Sequence, residues 1–187
     1  EVYPYLDEEA RVLRPANYPP GVPGNYLYYA KVGNQKVAVI NLIGRVFMGD
    51  YECPFRTFDS IYEEIKHQTE FIVVDLHAEA TSEKQAFGWY VAGRASIVVG
   101  THTHVPTADQ RILPGGTAYT TDLGMCGPLD GILGVQREPV INKFLNQLPT
   151  RFSVAKGATH LCGLIVDLDA TGKAQEVFRI YHEKNIV

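Results

Sequence analysis

Strands and amphipathic helices alternate along residues 36–99, and this alternation limits the fold of the chain more than any other feature. β-Branched and apolar residues predict strands at Lys36–Ile43, Phe71–Val74 and Ser96–Val99. The run Phe71–Val74 is continuously apolar, as a strand covered on both faces would be. Apolar residues at helical spacing predict a helix over Thr57–His67, and a capping box at Ser82–Gln85 predicts a second over Ser82–Ala92. This order is typical of a mostly parallel, layered α/β sheet.

Further β-type segments flank this unit on both sides. Gly33-Asn34 separates Tyr26–Val32 from the first strand of the unit, which is a hairpin signal. The segments that follow Gly100 are a strand at Thr117–Thr121, a glycine-rich loop, and a helix that starts at Pro139 and stops at Pro149. Three strands, expected to be antiparallel, close the chain: Arg151–Ala155, His160–Leu168 and Gln175–His182. Two packed sheets with outer helices fit this order better than one doubly wound sheet.

Composition excludes several classes of protein. The 187 residues include 17 basic and 21 acidic side chains. Because there is no excess of basic residues, a general nucleic-acid-binding protein is not expected. The apolar runs are far shorter than the roughly 20 residues that span a bilayer, so no membrane is expected as a partner. The three cysteines, Cys53, Cys126 and Cys162, are scattered and odd in number, which predicts reduced thiols and a cytoplasmic protein.

Three histidines follow the carboxyl ends of two predicted strands. His77 ends the strand that begins at Phe71, and His102 and His104 come just after Ser96–Val99. Parallel strands place ligands beyond their carboxyl ends, and a right-handed crossover brings these two ends to one edge. In extended backbone, residues two apart point to the same side, so His102 and His104 are expected to face one cavity. Imidazole is a common ligand of transition metals, so we predict that the three histidines bind metal.

Other polar residues near these histidines have weaker roles. Asp75 shares a strand face with His77 and could orient an imidazole; Glu79 and Thr103 are further candidates for an outer shell or a substrate contact. Glu83 is explained as an acid in the first turn of a helix. His67, His160 and His182 are expected to be structural or solvated, and Trp89 and Tyr90 to lie in the core. Motifs of serine hydrolases, P-loop NTPases and dinucleotide-binding enzymes do not occur in the sequence.

Several blocks together resemble the YmdB-type bacterial metallophosphoesterases, a branch of the calcineurin-like superfamily. The blocks are DLHAEATSEK at 75–84, VGTHTHV at 99–105, TDLGM at 121–125 and GPLDGILG at 127–134, with RPANYP at 14–19 and NLIGR at 41–45. The resemblance implies a four-layer αββα sandwich and a homo-oligomer. It also implies hydrolysis of 2′,3′- or 3′,5′-cyclic nucleotides at two transition metals, iron or manganese rather than zinc. His77 and His102 would bind one metal, and His104 the other.

The sequence departs from the family pattern in one respect. The G-D-x-x-G, Gly-Glu-Asn and Gly-Asn-His motifs, which supply an Asp, a bridging Glu, an Asn and a catalytic His, do not occur. We therefore expect residues 1–187 to be the C-terminal part of a single metallophosphoesterase domain, with the general acid in a missing N-terminal part of the same protein. No catalytic residue is predicted within this chain, which alone should hydrolyse cyclic nucleotides at a negligible rate.

Two alternatives remain open from the residues. His77, His102 and His104 could form a mononuclear zinc centre with an open water position, as in a His₃ zinc hydrolase. The protein could instead be a non-catalytic regulator that responds to nucleotides.

Overall fold

The computed structural model describes residues 2–184 as a mixed α/β fold with two sheets. The four helices are α1 (Tyr3–Glu8), α2 (Pro54–Ile65), α3 (Thr81–Val91) and α4 (Arg137–Asn146). The first six strands are β1 (Leu27–Val32), β2 (Gln35–Ile43), β3 (Phe71–His77), β4 (Ile97–Thr101), β5 (Arg111–Leu113) and β6 (Thr117–Thr120). The last three are β7 (Gly127–Pro128), β8 (Thr159–Leu168) and β9 (Ala174–Lys184).

The larger sheet contains the predicted parallel unit. Its order is β1-β2-β3-β4-β6-β5, in which β2, β3, β4 and β6 run parallel and the two edge strands run antiparallel. The hairpin between β1 and β2 is confirmed. His77 pairs in register with Ile43 on one side and with Thr101 on the other. The carboxyl ends of three neighbouring strands therefore meet at one edge of the sheet.

The core lies on one face of this sheet, beneath α2 and α3. Ile72, Val74 and Leu76 of β3 are fully buried there, against Phe58 of α2 and Phe87 of α3. The alternate residues of β3 are half-buried, so the strand is covered on both faces but more completely on its core face. The half-buried face carries Asp75 and His77.

The C-terminal region differs from the prediction in one strand. β8 and β9 form the expected antiparallel pair, but the third partner is β7, and Arg151–Ala155 is not a strand. Only an isolated bridge joins Val154 to Val135. Phe152 and Val154 remain exposed, so this segment has the alternation of a strand without an apolar surface to cover it.

The start of α3 also differs. Its N-cap is Ala80, and no side chain caps it, so the predicted capping box is wrong. Trp89 and Tyr90 lie on the exposed side of α3 rather than in the core. None of the described helices is long and apolar enough to cross a membrane. The three cysteines are free thiols, as predicted.

Candidate metal centre

His77 and His102 meet at the carboxyl edge of the larger sheet. His77 Nε2 lies 3.0 Å from His102 Nδ1, and the two rings are nearly perpendicular, with centroids 4.8 Å apart. Both side chains are half-buried. Two imidazole nitrogens therefore point at each other from neighbouring strand ends, as the strand order predicts.

A chain of hydrogen bonds orients His77 from behind. Its Nδ1 lies 3.1 Å from Thr101 Oγ1, which donates to Asp75 Oδ1 at 2.8 Å, and Asn41 Nδ2 donates to the second oxygen of Asp75 at 2.8 Å. Asp75 thus reaches the imidazole through a hydroxyl, and not directly. Such outer partners fix the ring orientation of histidine ligands. Thr101 was not predicted, although its place at the end of β4 is a signal for it.

Burial shifts the pKa values of His77 and Asp75, the two ends of this series of hydrogen bonds. Desolvation, and then the charge of His102, lower the pKa of His77, which favours its neutral form. Desolvation raises the pKa of Asp75, although hydrogen bonds from Thr101 and Asn41 oppose that shift. A neutral imidazole is the form that binds a metal.

Asp122 and Lys84 hold the loop that carries His102 and His104. Thr103 donates to Asp122 Oδ2 through its backbone N–H at 3.1 Å and its hydroxyl at 2.7 Å. Lys84 Nζ donates to the same oxygen at 2.7 Å, and both members of this ion pair are buried, at 1% and 2% exposure. Thr103 is therefore occupied with Asp122. Sequence reasoning missed this pair, although both residues lie in the blocks that carry the family resemblance.

His104 does not join the other two histidines. His102 and His104 have φ angles of +105° and +67°, so the loop is not extended. The prediction that both rings face one cavity assumed an extended backbone, and that assumption is wrong. His104 is exposed and lines a separate cavity of about 190 Å³ with Met125, His160 and Tyr181. His160 stacks on Tyr181, and its buried Nδ1 has no hydrogen-bond partner.

Glu79 reaches the exposed side of the pair. Its Oε2 lies 3.0 Å from His102 Nε2, and both side chains are partly exposed. Glu79 therefore contacts a predicted ligand directly, through the ring nitrogen that does not face His77.

The two facing imidazoles fit a transition metal in their donor type, and His77 also fits through its lowered pKa and its hydrogen bond to Thr101. These two imidazoles make up only part of the ligand set that a metal ion needs. Within residues 2–184, no group of three or more His, Cys, Asp or Glu side chains is arranged to hold a metal ion.

Acid should weaken the fold through Asp122. Burial would raise the pKa of Asp122, but hydrogen bonds from Lys84, Thr103 and the Gly124 N–H outweigh it and lower the pKa below 3.8. This stabilisation is fully present above the unfolded pKa and is lost as the pH falls through the folded pKa. The free energy of unfolding should therefore decline below about pH 4. Urea unfolding at pH 7, 4 and 3 checks this, and an equally steep decline in Asp122→Asn would contradict it.

Comparison with known proteins places this chain in a family. A family model described as a YmdB-like protein matches residues 1–180. The chain belongs to the YmdB-like family. This YmdB-like chain is 52% identical over 181 residues to a 2′,3′-cyclic-nucleotide 2′-phosphodiesterase of Bacillus subtilis (strain 168), covering 96% of the chain and 69% of the relative. Two mycoplasma relatives are 40% and 33% identical, and the chain spans only 50% and 55% of their lengths.

Two solved structures share the fold of this YmdB-like chain. A hypothetical protein from Thermus thermophilus matches with a TM-score of 0.91 and 40% identity, covering 98% of the chain and 71% of that protein. A phosphatase from Mycoplasma pneumoniae matches with a TM-score of 0.89 and 30% identity, covering 98% and 68%.

Proposed function

We propose that the protein is a metal-dependent phosphodiesterase that hydrolyses 2′,3′-cyclic nucleotides, and that this chain contributes the histidine side of its metal site. The observation that carries the proposal is the His77–His102 pair, oriented through Thr101 by Asp75 at the carboxyl edge of the parallel sheet. The similarity to a 2′,3′-cyclic-nucleotide 2′-phosphodiesterase supports the choice of substrate.

His77 and His102 would hold metal through Nε2 and Nδ1, the two atoms that now face each other. When bound, two iron or manganese ions would supply Lewis-acid stabilisation of the phosphoryl oxygens and a nucleophilic hydroxide. His104, two residues after His102 in the loop that follows β4, is the proposed contact to the second ion. The four-layer αββα sandwich, the remaining ligands and the general acid belong to the same proposal and would lie partly outside these 187 residues.

The side chains around the pair prepare it for this chemistry. Burial keeps the His77 imidazole neutral, and the Thr101 hydroxyl fixes its tautomer and direction. Lys84 and Asp122 hold Thr103 and with it the loop that carries His102 and His104. Glu79 lies at the exposed side of His102. The phosphodiester is hydrolysed by water, and the proton goes to the leaving ribose oxygen.

The mononuclear His₃ alternative is less well supported. It requires His77, His102 and His104 to converge, and His104 instead lines a different cavity.

The test is turnover of 2′,3′-cyclic AMP by the complete protein before and after removal of metal with a chelator. We expect turnover that is lost on chelation and restored by Mn²⁺ or Fe²⁺. Turnover that survives chelation would contradict the proposal. Binding of cyclic nucleotides without turnover under any metal would favour the regulator alternative instead.

A further inference from the structure

The loop that leaves β2 runs directly past the histidine pair. Ile43, the last residue of β2, is the register partner of His77, and the N–H of Gly44 donates to the carbonyl of His77 at 2.9 Å. Residues 45–48 follow Gly44 directly, so this loop starts beside the backbone of His77, at the sheet edge where the metal site is proposed.

Glu83 fixes this loop rigidly. Its carboxylate is buried, at 8% exposure, and accepts the backbone N–H of Arg45 at 3.0 Å and that of Val46 at 3.1 Å. The N–H of Met48 then donates to the carbonyl of Arg45 at 3.2 Å and closes a tight turn. Gly44 permits the close approach, because a Cβ there would lie 2.6 Å from Ala78 Cβ and 2.7 Å from Glu83 Oε2.

Phe47 occupies the third position of this turn in an unfavourable state. Its φ is +61°, in the left-handed region that favours glycine, and its side chain is 90% exposed. A bulky residue is strained at such a φ, and its ring covers no core surface. Strained residues that the surrounding structure holds in place concentrate at binding sites. The fold of the described residues gives no other reason for an aromatic ring here.

We propose that Phe47 is the residue on which the nucleobase of the substrate stacks. The inference rests on the proposed function and adds the part of the site that recognises the base. A flat ring on a turn that starts beside the backbone of His77 can contact a base through its π-face, which every base has. Phe47 should therefore strengthen binding of all four cyclic nucleotides with little preference among them.

The variants separate the ring from the backbone strain. Phe47→Ala removes the ring and keeps a Cβ at positive φ, Phe47→Gly removes both, and Phe47→Trp keeps an aromatic face. Phe144→Ala is the matched control, because Phe144 is an aromatic residue of α4 with 75% exposure. All are made in the complete protein. Each is assayed with 2′,3′-cyclic AMP and with a cyclic phosphodiester that has no base, 1,2-cyclic glycerophosphate.

We expect Phe47→Ala and Phe47→Gly to raise KM for 2′,3′-cyclic AMP by roughly 5- to 150-fold, the range of one base–aromatic stack, with kcat nearly unchanged. KM for cyclic glycerophosphate should not change, and Phe47→Trp and Phe144→Ala should behave as wild type. Phe47→Gly should also keep or raise Tm, because glycine relieves the strain. A ring with a merely structural role would lower Tm on its removal.

Two results would overturn the inference: equal increases in KM for both substrates, or an unchanged KM. An unchanged KM together with a change in oligomeric state would make Phe47 an interface residue. Calorimetric binding of 3′-AMP and ribose 3-phosphate separates this inference from the proposed function. If wild type binds 3′-AMP more tightly than ribose 3-phosphate, and Phe47→Ala loses this difference, but wild type turns over no cyclic nucleotide, the proposed function alone is refuted. Absence of any such binding would refute the inference.

Discussion

Replacing Lys84 with methionine is expected to lower the free energy of unfolding by about 3–5 kcal/mol. Methionine matches the length of the lysine stem, so little packing is lost. The loss comes from Asp122, which would keep its charge at 2% exposure without its ion-pair partner. Urea unfolding at pH 7 of Lys84→Met and wild type measures the difference.

Two further variants make this prediction specific. Lys66→Met removes a lysine from the partly exposed Lys66–Glu63 pair and should cost at most about 1 kcal/mol. Lys84→Met/Asp122→Asn removes both buried charges and keeps an oxygen that can accept from Thr103, so it should recover much of the loss. A Lys84→Met protein as stable as Lys66→Met would show that the buried pair does not hold the loop as described.

Replacing His77 or His102 with alanine is expected to reduce kcat/KM for 2′,3′-cyclic AMP by more than about 100-fold. Loss of an outer partner of a metal ligand typically costs roughly 10–100-fold, and loss of the ligand itself should exceed that. Both imidazoles lie on the half-buried edge rather than in the core, so the variants should fold. Steady-state kinetics with the complete protein, together with Tm, measure the effect.

Two further variants accompany this prediction. One removes a hydrogen-bond partner of a proposed ligand, and the other removes a histidine outside the proposed site. Thr101→Val breaks the connection between Asp75 and His77 without removing a ligand, so kcat/KM should fall by roughly 10–100-fold. His67→Ala removes an exposed imidazole just beyond α2 and should leave activity unchanged. Activity within threefold of wild type in both His77→Ala and His102→Ala would remove the basis of the proposed site.

The parallel unit and the meeting of the histidine pair could be predicted because periodicity and crossover handedness determine them, whereas β5, β7 and the full strand order of the two sheets could not. Apolar residues at period 2 or 3.6 identify β2, α2, β3 and β4, and the right-handed crossover brings the ends of β3 and β4 together. His77 and His102 meet for this reason alone, without any knowledge of their side-chain conformations.

The features that sequence reasoning missed depend on contacts between distant segments. Glu83 has the expected position for a helix N-terminal acid, yet its carboxylate binds the backbone of a loop 37 and 38 residues away. Lys84 looks like an ordinary helical lysine, and only the packing of α3 against Asp122 buries it. The positive φ angle of Phe47 is likewise imposed by loop anchoring, because a bulky aromatic residue does not favour this region by itself.

The most direct test of the central claim is the metal content of the complete protein and of its His77→Ala and His102→Ala variants. Each protein is stripped with a chelator, reconstituted with Mn²⁺, desalted and analysed by mass spectrometry for metal per folded chain. The account predicts that wild type and His67→Ala retain metal in equal amounts, and that both site variants lose at least one ion per chain. Equal retention of metal by wild type, His77→Ala and His102→Ala would contradict it.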